Sequence, residues 1–473
     1  EAVRAFLPQT ELFVPFAAFF VAICFALCIF DRTRKAALCL LLGALAGCAA
    51  VYTTEARLER IRTSYAGRTV QLVAEVEHTT SLYYTDAVEA TLHIETVNGK
   101  VANFRVICAE LPACVAGERV EGRFMLSAPG TADRLDDYAD GIALQAELDA
   151  EQPDFAVLGE SNSFRARTNR LQQILSAALR ARMNPAAGGV LAAMTVGDRE
   201  HLSTALRSAY RGAGLSHVLV VSGLHVSILC GDILGTLLPS PQECSYRRRR
   251  SRAVYKALLA LLLMGVTGFT PSVCRAAVAV WVSALGIWVY GPPDPLTSLA
   301  AAGILMTAGN SYAVCDIGFE LSFAAVIGTV AGGACIRRMQ DAREQRILRA
   351  EEKRKRRKGS IRLWTLVESI CIAVCASAAT FPVLVLRGLS VSLWAVVSSV
   401  VVLWMIQPLL LLGLATAFVG LVPILAPLYG LISHVAEVLA GLLNAWAGWL
   451  STKPGASIYF DTAYAALVCL LLC

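Results

Sequence analysis

Charged residues are scarce in this chain, which argues against a soluble globular protein. Only 16% of the 473 residues are charged and 56% are hydrophobic, whereas a soluble domain carries about 25% charged residues. Several apolar runs approach or exceed the roughly 20 residues that a helix needs to cross a bilayer. The composition therefore predicts an integral membrane protein with several crossings.

Sequence motifs of soluble catalysis are missing as well. The chain has no G-x-x-x-x-G-K-[ST] loop for ATP phosphates, no H-E-x-x-H motif and no G-x-S-x-G nucleophile elbow. Its 15 cysteines lie mostly in apolar runs and show no zinc-binding spacing. We expect no catalytic residue, no cofactor and no metal, and an intramembrane serine protease built on Ser222 is disfavoured.

Basic residues orient the first part of the chain. Two apolar runs, near 12–30 and 36–52, are separated by a turn that contains Arg32, Arg34 and Lys35. The positive-inside rule puts this turn in the cytoplasm. Residues 1–52 are therefore predicted to form two transmembrane helices, and residues 53–160 are predicted to lie outside the cytoplasm.

The outer segment, 53–160, changes from long apolar runs to alternating apolar and polar residues. Alternation is typical of half-buried strands, and Asn98-Gly99 between two such runs is a strong hairpin signal. About five strands suit a small soluble barrel of the OB type. An open sandwich fits the same pattern and stays an alternative.

The charge of this segment complicates a DNA-binding role. Residues 57–160 hold 9 Lys/Arg against 18 Asp/Glu, whereas an OB barrel that binds single strands offers a basic groove and stacking aromatic residues. Three aromatic residues are candidates for stacking: Tyr83, Tyr84 and Phe104. Three arginines are candidates for a local basic strip: Arg105, Arg119 and Arg123. A scaffold or docking role is equally compatible with the charge.

Cys108 and Cys114 are the two cysteines in the clearly soluble part of the chain. They flank Leu111-Pro112 between two predicted strands. Because the outer compartment is oxidising, we expect a disulfide between them.

Residues 161–214 link the predicted barrel to the remaining membrane part. The period of residues 164–183 is that of an amphipathic helix. The following apolar run, 185–197, is too short to cross the bilayer and predicts a re-entrant or interfacial segment.

Residues 215–473 form a predicted multi-pass membrane domain. Nine spans are expected: 216–238, 253–270, 272–290, 295–310, 317–336, 363–386, 391–412, 413–433 and 434–451. This count places the basic loops 247–252 and 337–362 in the cytoplasm, and the second loop carries a net charge of +8, from 12 Lys/Arg and 4 Asp/Glu. The last apolar run is too short to span, so we expect a truncated C-terminus.

Five sequence blocks occur in a fixed order. The most specific is Gly214-Leu-Ser-His-Val-Leu-Val-Val-Ser-Gly-Leu-His-Val226. The other blocks are Gly197-Asp198-Arg199, Thr267-Gly-Phe-Thr-Pro-Ser-Val-Cys-Arg275-Ala-Ala, Asp294-Pro295-Leu296 and Gly318-Phe-Glu-Leu-Ser-Phe323. Together they resemble the ComEC family of bacterial DNA-uptake channel proteins, and with the two leading helices and the outer β-domain the resemblance covers nearly the whole chain.

The resemblance implies a polytopic α-helical membrane bundle with an inserted small all-β, OB-like soluble domain. Many family members also carry a C-terminal metallo-β-lactamase-like domain with an H-x-H-x-D-H motif, and this sequence lacks that motif. Nuclease activity is therefore not carried over to this chain.

Polar residues in or beside the apolar runs are the candidate site. The candidates for a transport path are His217, Ser222, His225, Arg275, Asp316, Glu320, Asp198 and Arg199. Ser222 and His225 share a helix face at i, i+3, and polar groups in spans face the bundle interior or an aqueous path. Arg275 needs an anion, for which Glu320 and Asp316 are candidates. Hydrogen bonds or ion pairs that only fix helix packing explain the same pattern, and both interpretations stay open.

The function implied by the resemblance is inward transport of single-stranded DNA across the cytoplasmic (inner) membrane during natural transformation. The expected partners are single-stranded DNA, membrane lipids, DNA-uptake machinery proteins and a cytoplasmic motor or strand-capture protein, while assembly into a homo-oligomer stays open. The alternative is a non-transporting membrane scaffold that anchors a missing C-terminal hydrolase domain.

Overall fold

The computed structural model describes residues 34–81, 87–130, 134–149, 154–229, 246–289, 294–350 and 360–460. The predicted span 12–30 and most of the predicted span 216–238 lie outside these residues. The chain divides into two compact units. The first unit comprises Glu1–Ser161 and Ile304–Asp316, and the second comprises Asn162–Gly303 and Ile317–Cys473.

The first unit contains one long helix, α1, which runs from Arg34 to Tyr65. The boundary predicted at residue 52 is wrong as a helix end, because α1 continues for 13 residues beyond it. Those residues contain no proline or glycine to stop a helix, and Leu58 packs into the core of the β-domain. The helix ends before Gly67, whose φ is +76°.

Six strands follow, and five of them close into a barrel. They are β1 (Arg68–Ser81), β2 (Val88–Val97), β3 (Lys100–Leu111), β4 (Glu118–Ser127), β5 (Ile142–Leu148) and β6 (Phe155–Glu160). Neighbours pair in the order β1-β2-β3-β5-β4, and β4 also pairs with β1. This closure decides for the barrel and against the open sandwich.

The remaining parts of the first unit extend the barrel. The last strand, β6, pairs with β4 and was not predicted. A short helix, α2 (Arg134–Ala139), precedes β5. The predicted hairpin between β2 and β3 is confirmed, since Asn98 and Gly99 both have positive φ, 48° and 76°, as a type I′ turn requires.

The second unit is helical. Its described helices are α3 (Phe164–Arg180), α4 (Pro185–Thr195), α5 (Thr204–Gly212), α6 (Tyr246–Val266), α7 (Pro271–Val289), α8 (Pro295–Thr307), α9 (Ile317–Ala350), α10 (Ser360–Leu386), α11 (Ala395–Gly420) and α12 (Ala426–Ser451). Residues 223–229 are also helical. The last residues of α8 are assigned to the first unit.

Five helical segments among the described residues are long and apolar enough to cross a membrane. They are Pro271–Val289, Ile317–Ala342, Val367–Leu386, Ala395–Gly420 and Pro423–Ser451. The chain is therefore a membrane protein with a helical bundle and an inserted β-domain. Helix α8 has 13 residues, fewer than a crossing needs, so the predicted span 295–310 is not supported as a full crossing.

The C-terminal spans differ from the prediction. Two helices, α11 and α12, replace the three spans predicted between 391 and 451. The only break lies at residues 421–425, where Pro423 begins a short 3-10 helix. A break at 412/413 does not exist because α11 continues through it, with Pro408 inside the helix.

The short helix α4 forms the centre of the second unit. Its residues 187–195 are all buried, and Leu191, Ala192 and Met194 are fully so. A Cβ on Gly413 of α11 would lie 2.6 Å from Thr195 Cγ2, so this glycine allows α11 to approach α4. The prediction that residues 185–197 do not cross the bilayer agrees with this 11-residue helix; their re-entrant character stays a prediction.

Candidate functional site

The longest sequence block forms a compact turn between α5 and the helix that begins at residue 223. Gly214 has a φ of +73°, and a Cβ there would lie 2.6 Å from Ala395 Cβ. Ser398 Oγ donates to the carbonyl oxygen of Ala213 at 2.6 Å. The start of α11 thus holds the block in place.

The His225 side chain caps the backbone of Ser222 at the start of the helix at 223. The backbone N–H of Ser222 donates to His225 Nδ1 at 2.8 Å, and Ser222 Oγ lies 3.2 Å from the same nitrogen. The histidine takes the place of the glutamate in a capping box. Because Nδ1 accepts, the proton of a neutral imidazole is on Nε2.

His225 is buried and half satisfied. The residue is 1% exposed, and its Nε2 makes no hydrogen bond of regular geometry among the described residues, although the backbone of Val220 lies near the ring. A buried donor without a partner costs about 1–3 kcal/mol. Such a group is explained by a water molecule or a ligand that reaches it.

Arg275, near the start of α7, packs against the same turn. A Cβ on Gly223 would lie 2.9 Å from Arg275 Nη2, so the guanidinium occupies the space that a side chain at position 223 would need. Its Nε is buried and unpartnered, and within the described part of the chain no carboxylate forms an ion pair with it. The structure therefore brings to the turn at Ser222–His225 a cation that has no carboxylate partner among the described residues.

The expected pair between Arg275 and Glu320 is wrong. Glu320, in the first turn of α9, instead binds Arg387 at the end of α10 through two contacts, Nη2–Oε1 at 2.8 Å and Nε–Oε2 at 3.0 Å. The Arg387 side chain is 7% exposed. This bidentate geometry satisfies Glu320, so its role is to join α9 and α10.

Asp316 belongs to the first unit, whereas Arg275 belongs to the second. Asp316 lies among the acidic residues near α2. Loss of hydration raises the pKa of Asp140 to about 6, with smaller contributions from the neighbouring carboxylates Asp316, Asp137 and Asp136, although Asp140 keeps a solvent-exposed surface.

Asp198 and Arg199 form a tight loop after α4. Asp198 accepts a hydrogen bond from Ser176 Oγ, and Arg199 O accepts one from Arg207 Nη2 at 2.6 Å. Carboxylate and imidazole atoms of Asp198, Glu200 and His201 lie within 4.8 Å of one another. The contacts of Asp198 are those of a loop anchor.

His217 lies in the 3-10 turn that precedes Ser222. Its side chain is exposed to solvent. Two further buried hydroxyls have no partner among the described residues, Thr270 Oγ1 and Ser322 Oγ.

Two of the three arginines of the predicted basic strip on the barrel are bound by carboxylates, and the role of Arg123 stays a prediction. Arg105 Nε binds Glu77 at 2.9 Å, and Arg119 Nη2 binds Glu95 at 2.5 Å. Each cation is neutralised by a carboxylate on a nearby strand position. Tyr83 and Tyr84 lie outside the described residues.

The expected disulfide is not formed. Cys108 and Cys114 are free buried thiols, and Cys108 Sγ donates to the carbonyl of Glu110 at 3.5 Å. Because β3 extends to Leu111, Cys108 is held in the strand ladder, paired with Ala90 and Ala146. Burial raises the pKa of both thiols to about 11.

Arg387, Gly223, Thr270 and Ser322 were not among the predicted site residues. Arg387 is separated from Glu320 by 67 positions, so only the fold reveals the pair. Gly223, Thr270 and Ser322 lie inside the sequence blocks and were recognisable there as polar or small residues.

Known proteins are similar to this chain over most of its second, helical unit. The family model described as "Competence protein" matches residues 194–473. ComE operon protein 3 of Bacillus subtilis (strain 168) is 29% identical over 165 residues, which is 35% of this chain and 21% of that relative. The matched region thus spans about a fifth of the relative's length. No solved structure matches.

Proposed function

The chain belongs to the competence protein family, and we propose that it is a channel that moves single-stranded DNA inward across the cytoplasmic membrane during natural transformation. A strand of phosphates cannot cross roughly 30 Å of hydrocarbon unaided. It needs a path lined with polar groups from several helices. Family membership supports a role in DNA uptake, and the site suggests how the chain contributes.

The unpaired guanidinium of Arg275 is the observation that carries the proposal. Removing a cation from water without an anion costs several kcal/mol, and ionisable residues in membrane segments mark ion or substrate paths. A passing phosphate would supply the missing anion. Arg275 packs against Gly223, two residues before His225, whose Nε2 has no partner among the described residues.

Four polar atoms of the second unit that have no partner among the described residues support the same proposal, whereas a further one, Trp446 Nε1, lies outside the sequence blocks. His225 Nε2, Thr270 Oγ1, Arg275 Nε and Ser322 Oγ all belong to sequence blocks that carry the family resemblance. Packing alone would favour satisfied or apolar groups at such positions. Water along a transport path would satisfy all four.

The proposal includes partners. Since the sequence contains no phosphate-binding loop for ATP, the driving force would come from a cytoplasmic motor or strand-capture protein. DNA-uptake proteins would deliver the strand from outside, and no covalent chemistry is assigned to this chain. Assembly into a homo-oligomer is a further proposal.

Alanine substitutions in the turn test the channel. His217→Ala, Ser222→Ala and His225→Ala are expected to abolish DNA uptake by intact cells while the protein is inserted at normal levels. Abundance is measured by immunoblot of membranes and uptake by transformation frequency. A decline of uptake in proportion to abundance would instead assign these residues to helix packing.

The second candidate is a membrane scaffold for a hydrolase domain. The ion pairs of Arg105 and Arg119 favour it, because arginines held by carboxylates of the barrel are better suited to a docking domain than to DNA binding. In that case the substitutions above would leave uptake unchanged at normal abundance. Deletion of residues 68–160, in contrast, would prevent DNA uptake.

A further inference from the structure

A groove on the first unit lies between α1 and β3. It has a volume of about 480 Å³, and its lining includes Tyr52, Arg57, Arg60, Tyr65, Asn103 and Phe104. Small-molecule sites in proteins fall in the range of about 300–1,000 Å³. The groove is thus large enough for a polar headgroup.

The two arginines of the groove have no anionic partner. Arg57 Nη2 donates one hydrogen bond to the carbonyl oxygen of Asn103 at 3.0 Å. Both residues are exposed, and neither forms an ion pair among the described residues. This differs from Arg62 on the same helix, which pairs with Glu59 at 3.4 Å, and from Arg105 and Arg119 on the barrel. The groove is therefore a local cationic site on an acidic domain.

The position of the groove along α1 identifies its environment. The helix is continuous from Arg34, and its apolar part exposes Leu40, Leu42 and Leu45 by 52–64%. Tyr52, the first groove residue, is 75% exposed and is the last residue of the apolar run. An exposed tyrosine at the end of an apolar helix is typical of the membrane interface.

Helix geometry then sets the depth of the arginines. At 1.5 Å per residue, Arg57 and Arg60 lie roughly 9 and 14 Å beyond Val51 along the axis. Side chains on a helix lean toward its N-terminus, here toward the membrane, and long arginine side chains reach several ångströms further. The guanidinium groups can thus reach the headgroup layer, which is about 5–8 Å deep on each side of the bilayer.

We infer that this groove binds the phosphate headgroup of an anionic phospholipid. Arg57 and Arg60 contact the phosphate, and Tyr52 lies at the level of the glycerol backbone. The binding anchors the barrel to the outer surface of the membrane. The inference requires residues 36–52 to lie in the bilayer and does not depend on DNA transport.

Two observations favour a lipid over a DNA strand as the occupant. The rings of Tyr65 and Phe104 already stack on each other, with centroids 5.4 Å apart, and Phe104 is 6% exposed, so its faces are not free for bases. Residues 57–160 carry a net charge of −9, from 9 Lys/Arg and 18 Asp/Glu, which repels a polyanion. A single headgroup held at the membrane surface needs only the local site.

The test is lipid retention by the full chain. The protein is placed in nanodiscs made of phosphatidylglycerol and phosphatidylcholine in equal parts, and the lipids that stay bound after mild extraction are identified by mass spectrometry. Each arginine near an anionic surface is worth about a fivefold gain in binding. The double variant Arg57→Gln/Arg60→Gln is therefore expected to lose phosphatidylglycerol preference by about 25-fold.

Two matched variants make the result decisive. Arg62→Gln/Arg68→Gln removes the same charge from the same unit outside the groove and is expected to keep the preference. Arg57→Lys/Arg60→Lys keeps the charge and is expected to retain most of the preference for phosphatidylglycerol. Equal retention in the groove variant and the wild type, or equal loss in the groove and control variants, would overturn the inference. So would a loss of labelled oligothymidine binding in the groove variant with lipid retention unchanged.

Discussion

At the scale of single residues, some side chains of the sequence blocks have hydrogen-bond partners in the fold and others do not. His225 caps the backbone of Ser222 at a helix start, and Glu320 and Asp198 are bound by other residues of the fold. Arg275 keeps an unpartnered buried nitrogen. The predicted site residues lie in or beside the blocks, and their role in transport stays a prediction. The sequence did not predict which would remain unpaired, because the partners come from distant parts of the chain.

The close contact between Gly214 and Ala395 gives the first prediction. Gly214→Ala adds a Cβ 2.6 Å from Ala395 Cβ at a φ of +73°, whereas Gly268→Ala meets no atom within 4 Å at a similar φ of +71°. Left-handed backbone costs an alanine about 1–2 kcal/mol, and overpacking adds about 1–3 kcal/mol. Thermal unfolding in detergent should show the larger loss for Gly214→Ala. Equal losses would show that backbone strain alone accounts for the effect.

The raised pKa of Asp140, about 6, gives the second prediction. The folded state binds this proton more tightly than the unfolded state, so its stabilising contribution is complete below pH 4 and is lost as pH rises through 6. Asp140→Asn should therefore stabilise the protein at pH 7.5 and have no effect at pH 4. Because the side chain is exposed, solvent screening limits the gain to about 1 kcal/mol or less. A melting temperature that is unchanged at pH 7.5 would contradict the assignment.

At the scale of elements, local patterns predicted the β-domain better than the helix ends. The alternation of apolar and polar residues and the Asn98-Gly99 turn identified the barrel strands, because every second residue of a half-buried strand faces the core. The end of α1 was missed because its residues beyond 52 change partner, from the apolar run to the barrel core, without a helix-breaking residue. The short helix α5 was missed because it has only 9 residues.

The last two helices show why the number of spans was wrong. Residues 391–451 are apolar almost throughout, so they give no boundary, and the predicted breaks follow only the usual length of a crossing. Helices α11 and α12 have 26 residues each, longer than the minimum. Helix packing against α4, which sequence periodicity does not record, decides where these helices lie.

The ion pair between α9 and α10 gives the third prediction. Arg387→Met leaves Glu320 without its partner, and breaking a buried pair costs about 3–5 kcal/mol; the lower end applies because the Glu320 side chain is 28% exposed. The double variant Glu320→Gln/Arg387→Met should recover most of this loss. Chemical unfolding in detergent of the wild type, the single variants Glu320→Gln and Arg387→Met and the double variant measures the coupling. Additive losses would show that the two residues act independently.

At the scale of the whole molecule, the basic segment at the end of α9 gives the fourth prediction. Residues 337–362 are expected in the cytoplasm and residues 57–160 outside. A membrane-impermeant thiol reagent added to intact cells should label Lys100→Cys in the β2–β3 hairpin. It should label Gln345→Cys only after the cells are opened. Labelling of position 345 in intact cells would contradict the orientation.

The central claim is that Arg275 contacts the transported strand, and internalisation of DNA tests it most directly. Cells producing Arg275→Gln receive labelled DNA, and the strand protected from added nuclease is compared with the strand bound at the surface. The control is Arg338→Gln, which removes an exposed arginine from α9. The account predicts normal abundance, normal surface binding and loss of protected DNA in Arg275→Gln alone. Protected DNA at the wild-type level in that variant would contradict it.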